Sequence, residues 1–191
     1  AHMSFKIMAN TPRLSGIRSQ QPEDLADCLE SVFYWDASDS YSADILMVFN
    51  DIAVRLGWKY DVPIIIEELV DDLMTPLLAQ PEGTSRVTWP SSSFRGQWDL
   101  EWRRGCLAVQ ADWWDVACGP AREPLEPLLN KNSTLRVDLP SFLTEWRHLL
   151  WAMIPVAEQA APEVKQFAMW SRLRSVAGPQ PIGFDKARHK P

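Results

Sequence analysis

Ten tryptophans occur in this chain of 191 residues, and five of them lie between Trp89 and Trp114. Indole rings are large and rigid, so this concentration requires an extensive core, a contact surface, or both. With 46% hydrophobic and 23% charged residues, the chain has the composition of a folded protein that buries a substantial core. We therefore expect a single domain that spans residues 1–191.

The chain start and the apolar runs predict a soluble protein of the cytoplasm. Ala1-His2-Met3 has the form of a cloning scar and a start methionine, and no basic segment followed by an apolar stretch suggests a signal peptide. The longest apolar bursts, such as Val62–Ile66, are far shorter than the roughly 18 residues that a membrane-spanning helix needs. We expect no membrane association.

The cysteines give no sign of a disulfide framework or a zinc site. Cys28, Cys106 and Cys118 are odd in number and lack the paired spacing of metal ligands. We expect them to be small buried thiols.

Charge is unevenly distributed along the chain. Residues 1–82 carry a net charge of −9, whereas residues 83–191 carry +3. An acidic field repels the phosphates of nucleic acids and membranes and speeds encounter with a basic protein, although a solvated helical face is the ordinary reason for acidic runs. We expect no nucleic-acid partner.

Residues 4–82 are predicted to be mainly helical. Apolar residues recur at helical spacing from Pro22 to Trp35 and again from Ala43 to Leu56, where Gly57 ends the pattern. A third helix is predicted after Asp61, with Pro76 kinking or shortening its end. The apolar run Ile64–Ile66 also fits a strand, but the acidic residues after it restore the helical period.

Residues 83–139 are predicted to be mainly β. Apolar and polar residues alternate over Gln97–Arg103 and Cys106–Trp113, and Arg104-Gly105 between them suits a tight hairpin turn. Arg86–Trp89 and Leu135–Leu139 add further strands, and the sheet is predicted to be antiparallel. The segment 120–133 is predicted to be a connection.

Residues 140–177 are predicted to form two helices. Pro155 kinks or ends the first helix, and Glu163–Val176 forms the second. Residues 178–191 are predicted to be a basic tail. The predicted fold class is therefore α+β. It comprises N-terminal amphipathic helices, a central antiparallel sheet with a Trp-rich hairpin, and C-terminal helices packed on that sheet.

The motifs of common enzymes are missing from the sequence. It contains no phosphate-binding glycine loop, no nucleophile elbow, no HExxH and no paired CxxC, so we predict no catalytic residues, no cofactor and no metal site. His148, three residues after Glu145, is the single histidine of the predicted body, and this spacing occurs in di-metal bundles. Those bundles use the spacing twice, and this sequence contains it once. Pairing of His148 with Cys106 or Cys118 as base and nucleophile also stays open.

The tryptophans divide into core and surface candidates. Trp98, Trp102 and Trp113 share strand faces with apolar residues and are predicted to be buried. Trp114 points the other way from Trp113 in a regular strand and is a surface candidate. Trp35 and Tyr41 flank an acidic loop, where exposed rings favour a partner contact.

Two segments carry a family resemblance: Trp98-Asp99-Leu100-Glu101-Trp102 with the hairpin after it, and the stretch from Phe142 to Leu150. Over roughly residues 84–160 the chain resembles bacterial immunity proteins, which neutralise polymorphic or type VI secretion toxins. This resemblance implies a cytoplasmic, non-enzymatic antitoxin that plugs or covers the active site of a cognate effector, without indicating which residues bind.

The leading hypothesis is therefore an immunity protein whose partner is a toxin with a basic substrate cleft. A structural adaptor or homo-oligomer that uses exposed tryptophans is one alternative, and a small-molecule-binding or enzymatic domain with a pocket near His148 is another. The predicted partner-binding residues are Trp35, Asp36, Asp39, Tyr41, Glu67, Glu68, Asp71, Asp72 and Trp114.

Overall fold

The chain folds into two antiparallel β-sheets covered by helices. The computed structural model describes residues 4–18, 20–36, 38 and 44–182. The strands are β1 (Phe5–Ala9), β2 (Ile45–Phe49), β3 (Ile52–Leu56), β4 (Gly83–Ser91), β5 (Phe94–Arg103), β6 (Cys106–Val116) and β7 (Thr134–Asp138). The first three strands form a small sheet and the last four a large sheet, and spatial order follows sequence order in both.

Helices lie between and after the strands. They are α1 (Leu25–Val32), α2 (Val62–Glu67), a π-helical segment (Glu68–Met74), α3 (Thr75–Ala79), α4 (Glu126–Lys131), α5 (Leu139–Ala160), a 3-10 segment (Pro162–Gln166) and α6 (Ala168–Ala177). Within the described ranges, no helix combines the length and apolarity needed to cross a bilayer. The predicted α+β class is confirmed, but the described chain begins with strand β1 rather than with helices.

The helix predicted from Ala43 to Leu56 is wrong, because residues 45–56 form the hairpin of β2 and β3. Alternate residues are buried along both strands, starting with Ile45 and Ile52. Asn50 and Asp51 make the two-residue turn with φ values of 48° and 67°, and a hairpin turn of this kind needs positive φ at both positions. The apolar spacing fits both periods, so the turn residues and the β-branched side chains decide the outcome.

The helix predicted within Pro22–Trp35 is confirmed as α1, which is satisfied at both ends. The Asp24 carboxylate accepts a hydrogen bond from the backbone N–H of Asp27 at 2.8 Å, the usual N-terminal cap. At the other end, the Lys59 ammonium donates to the backbone carbonyls of Glu30 and Phe33. A cation at the C-terminal carbonyls also complements the helix dipole.

The third predicted helix is confirmed, and Pro76, which was predicted to kink or shorten its end, lies inside helical structure that reaches Ala79. In a regular α-helix, the carbonyl of Asp72 would accept from residue 76, and proline has no N–H to donate. The Ser85 hydroxyl on β4 donates to that carbonyl instead, at 2.7 Å. The π-helical segment precedes the proline, and helical structure continues through it to Ala79.

The large sheet contains the predicted hairpin, with Arg104 and Gly105 in its turn at φ values of 52° and 76°. A β-bulge interrupts the pairing of β5 with β6. Gly96 pairs with Trp113 and Arg95 pairs with Asp115, so Trp114 has no partner on β5. A Cβ atom at Gly96 would lie 2.5 Å from the Asp112 carbonyl oxygen. The close strand approach at the bulge therefore requires glycine.

The C-terminal helices are confirmed with altered bounds. Asp138 caps α5 by accepting from the Ser141 backbone N–H at 3.0 Å, and α5 continues past Pro155 to Ala160. The second predicted helix divides into the 3-10 segment and α6, because Phe167 adopts extended backbone between them. Strand β1 and helix α4 were not foreseen.

One aromatic cluster joins both sheets to α5. Trp98 lies at its centre, with ring centroids of six other members 5.2 to 6.4 Å away. Trp98, Trp102 and Trp113 are buried, as predicted, whereas Trp114 is 46% exposed. The aromatic cluster comprises Phe5, Phe49, Trp89, Phe94, Trp98, Trp113, Phe142 and Trp146.

We predict that Trp98→Ala lowers the free energy of unfolding by about 3–5 kcal/mol, because it leaves a cavity at the centre of this cluster. The matched change Trp114→Ala removes the same atoms from an exposed ring and should cost under about 1 kcal/mol. Urea unfolding monitored by circular dichroism measures both. Equal midpoints for the two variants would contradict the central role assigned to Trp98.

Candidate partner-binding surface

Two exposed rings from distant parts of the sequence pack together. Trp35 follows α1 and is 44% exposed, and Tyr60 precedes α2 and is 46% exposed. Their ring centroids lie 5.2 Å apart in an edge-to-face arrangement. Sequence reasoning identified Trp35 but missed Tyr60, because nothing in the spacing connects residues 35 and 60.

Exposed side chains follow this aromatic pair along the helix. Ile64 is 38% exposed one turn after Tyr60, and Glu67 and Asp72 are exposed further along. Neither acid has an ion-pair partner among the residues that the structure describes. We define the aromatic–acidic surface as Trp35, Tyr60, Ile64, Glu67, Glu68 and Asp72.

Glu68 is the least solvated acid of the aromatic–acidic surface. Its Oε2 atom is buried and has no hydrogen-bond partner among the described residues. Burial raises the pKa of the Glu68 carboxyl, and the negative charges of Glu67, Asp72 and Asp71 raise it further. Partial burial of the Asp72 carboxyl and the negative charge of Asp71 also raise the pKa of Asp72. In the folded chain these raised pKa values disfavour the charged forms of Glu68 and Asp72.

Asp71, predicted to bind a partner, is engaged within the protein. Its two carboxylate oxygens accept from Arg172 on α6, at 3.1 Å from Nε and 3.3 Å from Nη2. This bidentate pair ties the π-helical segment to α6. Asp71 therefore stands apart from the unpaired acids beside it.

The acidic loop is described only in part. Asp36 is half-buried and accepts from the backbone N–H of Ser38 at 2.9 Å and from its hydroxyl at 2.7 Å. These bonds hold the pKa of Asp36 below its usual range. Asp39 and Tyr41 lie outside the described residues. Asp36 therefore borders Trp35 as a residue of a local turn.

The structure does not bring Trp114 to the other predicted binding residues. Trp114 lies on the outer face of the large sheet, where its indole N–H donates to Asp112 at 3.0 Å. The helix that carries Glu67 packs against the opposite face, on which Ser85 lies. Trp114 and Glu67 therefore lie on opposite sides of the large sheet.

The alternative site near His148 gains little from the geometry. His148 is exposed, and its Nδ1 lies 3.8 Å from the Glu145 carboxylate.

The three cysteines differ in exposure. Cys28 is buried, and burial raises its pKa to about 11. The expectation of buried thiols is wrong for Cys106 and Cys118, which are exposed. Three surface cavities of about 520 to 860 Å³ are lined by none of His148, Cys106 and Cys118. No metal-binding group of three or more His, Cys, Asp or Glu side chains forms within the described ranges.

Comparisons of the chain with protein-family models, curated proteins and solved structures find no match. The resemblance to immunity proteins therefore stays a prediction.

The raised pKa of Glu68 predicts a specific pH dependence of stability. The folded state holds the Glu68 proton more tightly than the unfolded state does. In the unfolded state the pKa of the Glu68 carboxyl is about 4.3. Stability should therefore fall as pH rises from that value through the raised folded pKa, and the penalty persists at higher pH. We expect Glu68→Gln to be more stable than the wild type at pH 7, as measured by urea unfolding between about pH 4 and pH 8.

Glu67→Gln provides the control, because it removes the same charge from an exposed neighbour. The difference in unfolding free energy between Glu68→Gln and the wild type should shrink toward acid pH more than the corresponding difference for Glu67→Gln. A Glu68→Gln variant that is less stable than the wild type at pH 7 would show that its carboxylate is stabilising.

Proposed function

We propose that this protein is an immunity protein that binds a bacterial toxin through the aromatic–acidic surface and blocks its basic substrate cleft in the cytoplasm. One observation carries the proposal. Trp35 and Tyr60 form an exposed ring pair just before the helix that carries Glu67 and Asp72, two exposed acids without ion-pair partners among the described residues. High-affinity protein contacts commonly combine aromatic anchors at the centre with a polar rim, and charged groups at that rim supply electrostatic complementarity.

The rings and the acids would contribute differently to binding. Trp35, Tyr60 and Ile64 supply apolar area, and Trp35 and Tyr60 already hold each other in one arrangement, so little conformational freedom is lost on docking. The acids steer a basic cleft toward the surface and pair with its lysines or arginines on contact. Inhibition then follows from occlusion of the cleft and needs no chemical step by this chain.

The cation-binding capacity of the rings also supports a basic partner. Lys59 Nζ lies 5.7 Å from the ring centroid of Tyr60. The Arg13 guanidinium lies 5.1 Å from the ring centroid of Tyr34, the residue before Trp35. Rings of this segment thus accept the protein's own cations. The partly exposed Trp35 ring offers the same kind of contact to an arginine of a partner.

The test uses the protein encoded by the gene immediately upstream of this chain's own gene. We expect its expression in a bacterial host to stop growth and co-expression of this chain to restore growth. We further expect Trp35→Ala to weaken binding of the purified partner by about 2 kcal/mol, roughly 30-fold, because the ring is a desolvated anchor. Isothermal titration calorimetry measures that loss.

Charge reversals separate the role of the acids. Glu67→Lys combined with Asp72→Lys should slow association and remove most of its salt dependence, as measured by stopped-flow mixing. The control, Asp115→Lys combined with Glu123→Lys, makes the same change in net charge elsewhere. A toxic neighbour that this chain fails to neutralise, or equal effects of the two reversals, would overturn the proposal.

A further inference from the structure

The outer face of the large sheet carries side chains in ordered rows across the strands. Helices and the small sheet cover the inner face, whereas the outward residues of β4 to β7 are mostly exposed. Strand pairing places outward residues of β5, β6 and β7 side by side, with β6 in the middle. Each row can therefore be read from β5 across β6 to β7.

The first row has opposite charges at equal distances from a small central residue. Glu101 on β5 and Arg136 on β7 both pair with Ala108 on β6, one strand spacing away on either side. Neither charged side chain has an ion-pair partner among the described residues. The row reads acid, alanine, base.

The next row toward the hairpin turn repeats this pattern with the signs reversed. Arg103 on β5 and Asp138 on β7 both pair with Cys106 on β6. Arg103 makes only a 3.7 Å contact with Glu82 between highly exposed side chains, and Asp138 uses Oδ2 to cap α5. This row reads base, cysteine, acid.

The geometry points to a second copy of this chain as the occupant of the outer face, docked about a two-fold axis that runs along β6. Rotation about that axis brings β5 of one copy over β7 of the other. Glu101 then faces Arg136 of the second copy, and Arg103 faces its Asp138. Because each contact occurs twice in a two-fold interface, the two rows supply four intermolecular ion pairs.

The residues on the proposed axis permit close approach. Ala108 is small, and a cavity of about 600 Å³ lies over the row that contains it, lined also by Glu101, Gln110 and Arg136. Gln110 would meet its own copy, and its amide, which donates to Ser133 and accepts from Thr134, keeps a second N–H and a second lone pair for that contact. Asp112 is the axis residue with like charges, and its carboxylate already accepts the Trp114 indole N–H. Trp114 lies beyond it as an exposed ring at the end of the axis.

A homodimer held by such contacts should be reversible and sensitive to salt. Sedimentation velocity over a concentration series at low salt tests it. We expect a monomer–dimer equilibrium, and we expect Glu101→Arg and Arg136→Glu each to weaken dimerisation by about tenfold or more, because like charges then face each other twice. The double variant Glu101→Arg/Arg136→Glu restores opposite charges and should restore the dimer.

Glu67→Arg is the matched control, because it reverses an exposed glutamate on the other side of the molecule and should leave dimerisation unchanged. Circular dichroism confirms that each variant is folded. A wild-type chain that stays monomeric over the whole concentration range, or a double variant no better than the single ones, would overturn the inference. The measurement uses this chain alone, so its result does not depend on the proposed toxin partner.

Crosslinking checks the position of the axis. In a Cys118→Ser background, Cys106 should react with its own copy through a short bismaleimide, giving a covalent dimer that Glu101→Arg reduces. Crosslinking that the wild-type chain shows but the Cys118→Ser background loses would place the contact elsewhere and refute the proposed axis.

Discussion

The packing of aromatic rings between the two sheets and α5 is the interaction on which the rest of the structure depends. Trp98 touches rings contributed by β1, β2, β4, β6 and α5, in addition to Phe94 on its own strand. The small sheet has three short strands, and such a sheet has little stability without a packed face. Phe5 and Phe49 fix that sheet onto the large one, and the turn residue Asn50 adds hydrogen bonds to the carbonyls of Asn132 and Thr134.

Two kinds of interaction position the elements around the core, namely ring packing and buried hydrogen bonds. The indole N–H groups of Trp89, Trp98, Trp113 and Trp146 have no conventional hydrogen-bond acceptor among the described residues, so ring shape rather than hydrogen bonding positions them. Edge-to-face contacts such as Trp89 with Trp98, at an interplanar angle of 81°, use the favourable electrostatics of aromatic pairs. By contrast, buried Asp61 accepts hydrogen bonds from Ser91 and the Gly57 backbone, which fixes α2 against β4.

The sequence pattern was sufficient to predict the strands of the large sheet and α5. Apolar and polar residues alternate over about ten residues in the strands, and apolar residues recur at helical spacing along α5, so each pattern fits only one kind of secondary structure. It failed for β2 and β3, where Ile45, Phe49 and Ile52 recur at the helical spacing although buried residues alternate within each strand. The Asn50-Asp51 turn was the available signal. The candidate surface was harder to predict. The contact of Trp35 with Tyr60 and the pairing of Asp71 with Arg172, 101 residues away, are tertiary facts that sequence spacing does not contain.

The two proposed surfaces lie on opposite sides of the large sheet, and this separation makes them compatible. The helix that carries Glu67 and Asp72 packs on the inner side of β4, so its exposed face points away from the outer face that Glu101 and Arg136 occupy. A two-fold contact between outer faces would leave both aromatic–acidic surfaces exposed on the far sides of the dimer. Each copy would then bind one partner, and the complex would contain two of each chain. Charge supports this division, because the outer-face rows balance acid against base whereas the helical side keeps unpaired acids. A balanced pattern suits contact with an identical copy, and an unbalanced one suits contact with a chain of opposite charge.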